Sequence, residues 1–244
     1  MTTGVLLLHG SSGQPDHSRQ KMLEAAGYDV VAPQWFDQRM SEIPLESFPL
    51  DELAARNDRL VVMGMSYGAV AALLLGTLDE RIDAVIAIAP GAHVWGWIEN
   101  GEQTSRFSRQ GEPVPFVPFD LDWESSDDPP AYVEIYRQSM KRYAGQAEAA
   151  LIPAERFKGE LLLLAGGDDL VWPSLRFAEL IALRRGTLLT QVLVSGAAGH
   201  RVVFPGEEIK TSGQRMARGG TEEADRAFGG QAWAHVDRIL AGTR

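Results

Sequence analysis

The sequence predicts an α/β fold with a mostly parallel central sheet and helices on both faces. Short apolar runs alternate along the chain with segments rich in helix-forming residues. Four of these runs show no polar alternation, at residues 4–8, 60–63, 84–88 and 161–164. Strands that are apolar on both faces are typical of parallel sheets covered on either side. The polar motifs of the chain fall where such strands end, which is the functional edge of an open α/β sheet.

The order of elements follows from the same patterns. A first strand at 4–8 leads to a helix at 19–26 that Gly27 ends, and then to a second strand at 28–32 that Pro33 closes. The remaining predictions are helix 50–57, strand 60–63, helix 69–78, strand 84–88, helix 131–155, strand 161–164, helix 175–185, strand 190–194 and helix 232–240.

The length of 244 residues fits one domain spanning 1–244. Residues 92–130 carry many Gly and Pro and no convincing period, so they predict an irregular, lid-like insertion. We expect its aromatic residues to form a lid or acyl pocket, or else to anchor the segment to the core. These residues are Trp95, Trp97, Phe107, Phe116, Phe119 and Trp123.

Composition limits the classes of function. There are 23 Lys and Arg against 33 Asp and Glu, and the net charge of −10 disfavours nucleic acid and anionic membranes as partners. Cysteine is absent, which excludes thiolate chemistry and fits a reducing compartment. With no targeting segment visible, we expect a cytoplasmic protein. The sequence shows neither a Gly-x-Gly-x-x-Gly motif nor a convincing metal-ligand pattern, so we expect no cofactor and no metal.

A Gly-x-Ser-x-Gly motif, Gly-Met-Ser-Tyr-Gly at 64–68, lies between a predicted strand and a predicted helix. This is the context of a nucleophile elbow, in which a tight turn projects the serine hydroxyl above the sheet. A plain Gly-Ser turn is the alternative, and the flanking elements favour the elbow. The motif therefore predicts Ser66 as a nucleophile on an α/β-hydrolase fold.

A serine nucleophile needs a base, and in this fold the acid that orients the base lies between the two in chain order. His200 stands in a Gly-rich loop after the last predicted strand, whereas the other histidines do not follow a late strand; they are His9, His17, His93 and His235. Asp168 and Asp169 both follow the strand at 161–164, and chain order does not choose between them. For the oxyanion, we expect the main-chain N–H of Tyr67 and that of Ser11, with Ser12 as the less favoured alternative.

Several stretches are similar to one family. They are 64–75 (GMSYGAVAALLL), 82–95 (IDAVIAIAPGAHVW), 152–174 (IPAERFKGELLLLAGGDDLVWPS) and 196–200 (GAAGH). The chain resembles the C-terminal hydrolase domain of the acyl-CoA thioesterase and bile acid-CoA:amino acid N-acyltransferase family, whose core is shared by hydrolases of the dienelactone hydrolase type. The resemblance implies that Asp169 is the acid. The acyltransferase branch uses cysteine where this chain has Ser66, so the resemblance implies hydrolysis.

The sequence thus predicts a serine hydrolase with the triad Ser66, Asp169 and His200. We expect its substrate to be a small acyl ester or thioester, and an acyl-CoA thioesterase is the first hypothesis for its function. A carboxylesterase or lactonase of the dienelactone hydrolase type is the second. A ligand-binding protein without catalysis on the same fold is the alternative from another class.

Overall fold

Six parallel strands form the central sheet of the computed structural model, which describes residues 1–36, 40–99, 101–209 and 214–243. Its strands are β1 (Thr3–Leu8), β2 (Asp29–Val31), β4 (Arg59–Met65), β5 (Ile82–Ile88), β10 (Glu160–Gly166) and β11 (Thr190–Ser195). The sheet has the order β11-β10-β5-β4-β1-β2, and all five neighbouring pairs are parallel. Five shorter strands in the described residues lie outside it: β3 (Ile43–Pro44), β6 (Gly96–Glu99), β7 (Glu102–Ser105), β8 (Phe107–Arg109) and β9 (Glu112–Pro113).

Helices cover both faces of this sheet. They are α1 (His17–Ala25), α2 (Leu50–Ala54), α3 (Tyr67–Leu78), α4 (Val133–Arg142), α5 (Ala144–Ala149), α6 (Ser174–Arg185) and α7 (Glu222–Ala241). Because side chains alternate across a strand, each buried strand serves two cores. Val62 packs with residues of α3 and α6, and Val61 packs with residues of α1 and α7. The predicted α/β fold with a parallel, doubly covered sheet is confirmed.

Strand register brings the functional edge together. Leu8 at the end of β1 pairs with Gly64 of β4, and Met65 pairs with Ile88 at the end of β5. Gly166 of β10 pairs with Ser195 of β11 in the same direction. The loops that follow these strands therefore leave the sheet at one edge.

The segment 92–130, predicted to be irregular, contains regular structure. Strands β6 and β7 form an antiparallel pair, and β8 pairs with β3 on one side and β9 on the other. These strands are short and largely polar, so they lack the apolar run by which the sequence identifies a strand. Asn100, which belongs to this segment, lies outside the described residues.

Two helices differ in extent from the prediction. The helix expected at 131–155 is divided at Tyr143, whose backbone leaves the helical region (φ −111°, ψ 44°). The closing helix is longer than expected, since α7 begins after Thr221, whose side chain caps it by accepting a hydrogen bond from the Ala224 N–H. The first half of α7 was not predicted, because its first turn is polar and its internal glycines are poor helix formers. Every helix within the described ranges is too short or too polar to span a lipid bilayer.

Candidate active site

Ser66 occupies the turn between β4 and α3 in a strained conformation. Its backbone has φ 59° and ψ −123°, a region that residues with a Cβ rarely adopt. The Ser66 N–H donates to the Ile88 carbonyl oxygen at 2.9 Å, which ties the turn to β5. A residue held in strain by its surroundings is typical of functional sites.

The two glycines of the motif are required by close backbone approach. A Cβ on Gly64 would lie 2.0 Å from the Gly68 carbonyl oxygen. A Cβ on Gly68 would lie 2.3 Å from the Leu8 carbonyl oxygen at the end of β1. Such distances are far inside van der Waals contact, so the elbow closes only with glycine at both positions.

Asp169 and His200 meet across the loops that follow β10 and β11. The Nδ1 atom of His200 lies 2.8 Å from Oδ2 of Asp169, and both side chains are buried. The second oxygen of Asp169 accepts hydrogen bonds from the N–H groups of Val171 (2.8 Å) and Trp172 (3.2 Å). The His200 main-chain N–H donates to the Arg218 carbonyl oxygen at 2.9 Å, which fixes the backbone of the loop.

The neighbouring carboxylate, Asp168, has different hydrogen-bond partners. Its side chain is exposed and accepts a hydrogen bond from the Gly220 N–H at 2.7 Å. Its own N–H donates to the Ala198 carbonyl oxygen at 3.0 Å. Of the two carboxylates that chain order left open, the structure brings Asp169 into contact with His200 and uses Asp168 to join two loops.

A cavity of about 130 Å³ has both Ser66 and His200 in its wall. The loop after β1 forms another part of the wall, including both Ser11 and Ser12. This loop approaches the serine closely, since a Cβ on Gly10 would lie 3.2 Å from Cβ and 3.7 Å from Oγ of Ser66. The first turn of α3, which begins at Tyr67, has N–H groups without an acceptor inside the helix.

The other histidines have separate surroundings. His9 has its Nδ1 atom 2.7 Å from the Gly10 carbonyl oxygen, within the loop after β1. His93 is buried against Trp95 and Phe177, and burial, aided by the positive charge of Arg184, lowers its pKa to about 4. His17 is exposed and His235 is partly exposed.

Aromatic side chains form a wall beside the nucleophile and the imidazole. The Trp172 ring lies 5.7 Å from the His200 ring and 5.3 Å from the Tyr67 ring, both edge to face. The hydroxyl groups of Tyr67 and Tyr136 are 2.9 Å apart. Neither Trp172 nor Tyr136 was predicted to lie at the site, although Trp172 belongs to the stretch 152–174 that carries the family resemblance.

The aromatic residues expected in a lid or acyl pocket mostly contribute to the core. Trp95 and Phe107 are completely buried in the larger hydrophobic cluster. Phe116 and Phe119 are partly buried against that cluster, and Trp123 contacts Tyr132. Within the described ranges, no group of three His, Cys, Asp or Glu side chains is arranged to hold a metal ion.

The chain matches the model of one known protein family. The family model described as BAAT / Acyl-CoA thioester hydrolase C terminal matches residues 50–238, which is most of the chain. The chain belongs to this family. The matched range includes the elbow and the loops that carry Asp169 and His200. A comparison with the curated proteins gives no match.

Solved structures support the fold of this family member. A protein named m3DLH is 17% identical, with a TM-score of 0.56 over 99% of this chain and 87% of that one. A dienelactone hydrolase-like promiscuous phosphotriesterase from metagenomic libraries is 15% identical, with a TM-score of 0.51 over 98% and 86% of the two chains. A pyrethroid hydrolase is 16% identical, with a TM-score of 0.51 over 99% and 98%. At such identities the likeness establishes the α/β-hydrolase fold, as the sequence predicted.

Proposed function

We propose that the protein is a serine hydrolase that cleaves carboxylic esters or thioesters through an acyl-enzyme. In this proposal Ser66 is the nucleophile, His200 is the general base and Asp169 orients the imidazole. The observation that carries it is the contact between His200 and Asp169, at 2.8 Å, together with the cavity that both Ser66 and His200 line.

Acylation begins with attack of the Ser66 Oγ atom on the carbonyl carbon of the substrate. The hydroxyl proton passes to Nε2 of His200, and the carbonyl oxygen becomes an oxyanion. The N–H groups of Tyr67 and Ser11 stabilise that oxygen. The bond from carbon to the leaving oxygen or sulfur then breaks, and the leaving group takes the proton from His200.

Deacylation repeats these steps with water. His200 removes a proton from the water, whose oxygen attacks the acyl carbon. The tetrahedral intermediate then collapses to the carboxylic acid, and the leaving Ser66 Oγ takes the proton back from His200. Asp169 stabilises the imidazolium in both half-reactions and keeps its proton on Nδ1. A serine ester is resolved by water in this way, so we propose hydrolysis and not transfer to an amine.

An acyl thioester is the first substrate class that we propose. It is supported by the family to which the chain belongs, described as acyl-CoA thioester hydrolases. A small carboxylic ester or lactone is the second candidate. The limited cavity of about 130 Å³ favours this second class, because it offers room for a compact acyl group.

A ligand-binding protein on the same fold remains the alternative from another class. Binding alone has no need of a serine held at φ 59° or of a carboxylate that bonds the imidazole. Such strain costs of order 1–3 kcal/mol and persists where it serves function. These features therefore support the enzyme.

The test is a panel of two substrate classes with one variant. Purified protein is assayed with p-nitrophenyl acetate and butyrate and with acetyl-, butyryl- and octanoyl-CoA, and Ser66→Ala is assayed alongside. We expect turnover that Ser66→Ala abolishes, with the larger kcat/KM identifying the leaving group. Turnover that persists in Ser66→Ala contradicts the mechanism, and a folded wild type that turns over neither class contradicts the substrate assignment.

A further inference from the structure

Arg106 lies between β7 and β8 with its side chain completely buried among aromatic rings. The carbon at the centre of its guanidinium, Cζ, is 4.4 Å from the ring centre of Phe36, 4.3 Å from that of Tyr67 and 3.9 Å from that of Trp97. Its Nη1 atom donates to the Met40 carbonyl oxygen at 3.1 Å. The Nε and Nη2 atoms are buried without a hydrogen-bond partner.

The positive charge of Arg106 is not balanced by a carboxylate from the described part of the chain. Burial lowers the pKa of the guanidinium below its ordinary value, and the nearby hydroxyls of Tyr67 and Tyr136 offset only part of that shift. A buried charge is normally paired, since its desolvation is otherwise uncompensated. Cation–π contacts with three rings offset only part of that cost.

Arg185 shows how this fold satisfies a buried arginine that has a structural task. It is also buried and stacks on Phe157. Its three nitrogens, however, make five hydrogen bonds, one to the Thr190 hydroxyl and four to main-chain carbonyl oxygens. Arg106 is equally buried, but its Nε and Nη2 atoms have no hydrogen-bond partner within the described residues. A structural task of the Arg185 kind therefore does not explain its burial.

Tyr67 is the link between Arg106 and the nucleophile. It follows Ser66 directly, and its ring is held on three sides: by the guanidinium, by the Tyr136 hydroxyl and by the edge of Trp172. The guanidinium carbon is 4.3 Å from the Tyr67 ring centre, and consecutive Cα atoms are about 3.8 Å apart. The Arg106 charge therefore lies within about 12 Å of Ser66. The Tyr67 N–H is the donor that the proposed mechanism assigns to the oxyanion.

We propose that Arg106 is a positioning residue for the oxyanion donor. The guanidinium holds the Tyr67 side chain, and with it the Tyr67 N–H, in the orientation that binds the oxyanion. Its uncompensated positive charge favours negative charge at the same place. This inference rests on the proposed function. Because the oxyanion exists only in the transition state and the intermediates, loss of Arg106 lowers kcat and leaves KM nearly unchanged.

The expected size follows from Coulomb's law. A unit charge about 10 Å from the oxyanion, at an effective dielectric constant of about 20, changes the rate by roughly 10-fold. Misplacement of the Tyr67 N–H adds to that. We therefore expect Arg106→Met to lower kcat by about 10- to 100-fold, and Arg106→Lys, which keeps the charge, by a smaller factor.

The experiment first establishes turnover in wild type and its loss in Ser66→Ala, so a failure there concerns the proposed function alone. Active sites are then titrated with a fluorophosphonate, so that kcat is expressed per functional site. The affinity for phenylboronic acid, which forms an anionic tetrahedral adduct with serine, is measured in parallel. We expect Arg106→Met to lower kcat and boronic acid affinity by similar factors. The control Arg185→Met lowers Tm and leaves kcat per site unchanged.

A double-mutant cycle identifies Tyr67 as the intermediary. If Arg106 positions the Tyr67 N–H through the Tyr67 ring, Arg106→Met lowers kcat by a smaller factor in a Tyr67→Leu background than in wild type, because only the direct effect of the charge remains there. Equal effects in both backgrounds overturn the proposal. So does an Arg106→Met protein with lower Tm but unchanged kcat per site and boronic acid affinity. If Arg106→Met does not fold, Arg106→Lys decides, since a kcat per site equal to that of wild type also overturns it.

Discussion

The two oxygens of the Asp169 carboxylate bind different partners, and His200 takes only one of them. Oδ2 lies 2.8 Å from Nδ1 of His200, while Oδ1 accepts the N–H groups of Val171 and Trp172. The carboxylate is thereby held at both ends, and the imidazole it contacts has one defined orientation. An arrangement of this kind keeps the proton on Nδ1 and leaves Nε2 for the serine hydroxyl.

Asp169→Asn is expected to lower kcat/KM by about 10³- to 10⁴-fold, because the amide favours the wrong imidazole tautomer. The matched control is Asp168→Asn, one residue earlier, where the exposed side chain bonds the Gly220 N–H. We expect this control to stay within about 10-fold of wild type and to lose about 1 kcal/mol of stability. Steady-state kinetics and urea denaturation measure both quantities. Equal loss of activity in the two variants contradicts the assignment of Asp169.

Chain order could not separate these two carboxylates, for a physical reason, and only the family resemblance selected Asp169. Both follow the same strand, and the direction in which each side chain leaves the loop depends on partners far away in the chain. Asp168 accepts a hydrogen bond from the Gly220 N–H at the surface, and Asp169 contacts His200 in the interior. By contrast, the glycines of the elbow were predictable, because the constraint on Gly64 and Gly68 arises within five residues and from the strand beside them.

Gly68→Ala tests the close packing of the elbow. Its Cβ would lie 2.3 Å from the Leu8 carbonyl oxygen, so α3 must move away from β1. We expect a loss of about 2–4 kcal/mol in the free energy of unfolding, even though alanine favours helix. The control is Gly230→Ala in α7, where a Cβ meets nothing within 4 Å and should add about 1 kcal/mol. A neutral or stabilising Gly68→Ala contradicts this packing.

Arg19 and Glu207 form a buried ion pair with a distance of 2.5 Å. Arg19→Met leaves the Glu207 charge buried and should cost about 3–5 kcal/mol. Adding Glu207→Leu removes that charge, so the double variant should be more stable than Arg19→Met alone. Arg176→Met, which breaks an exposed pair with Glu179, should change stability by less than about 1 kcal/mol. Additive effects of Arg19→Met and Glu207→Leu in urea denaturation contradict this account.

His93 makes stability fall as the pH decreases from about 6.5 to about 4. Burial lowers its pKa in the folded protein to about 4, so in this window the unfolded chain binds a proton that the folded one does not. Between pH 7 and 4.5 this costs about 2 kcal/mol. We expect wild type to lose that much more stability than His93→Leu over the same interval, measured by urea denaturation at both pH values. Parallel losses in the two proteins contradict the low pKa of His93.

The buried environment of Arg106 could not be predicted from the sequence. Its neighbours Phe36, Tyr67 and Trp97 come from three separate parts of the chain, and none of the local patterns at 105–107 distinguishes this arginine from an exposed one. The order of Ser66, Asp169 and His200 was predictable because the fold places the ends of its strands in a fixed sequence. The environment of a buried charge depends on tertiary packing, which has no such local signature.

The most direct test of the central claim is covalent labelling of Ser66. A fluorophosphonate reacts with an activated serine by forming an Oγ–P bond and releasing fluoride, and intact mass followed by peptide mapping locates the adduct. The account predicts one adduct per chain, on Ser66, lost in Ser66→Ala and strongly slowed in His200→Gln. An adduct on another residue, or equal labelling of wild type and Ser66→Ala, would contradict Ser66 as the nucleophile.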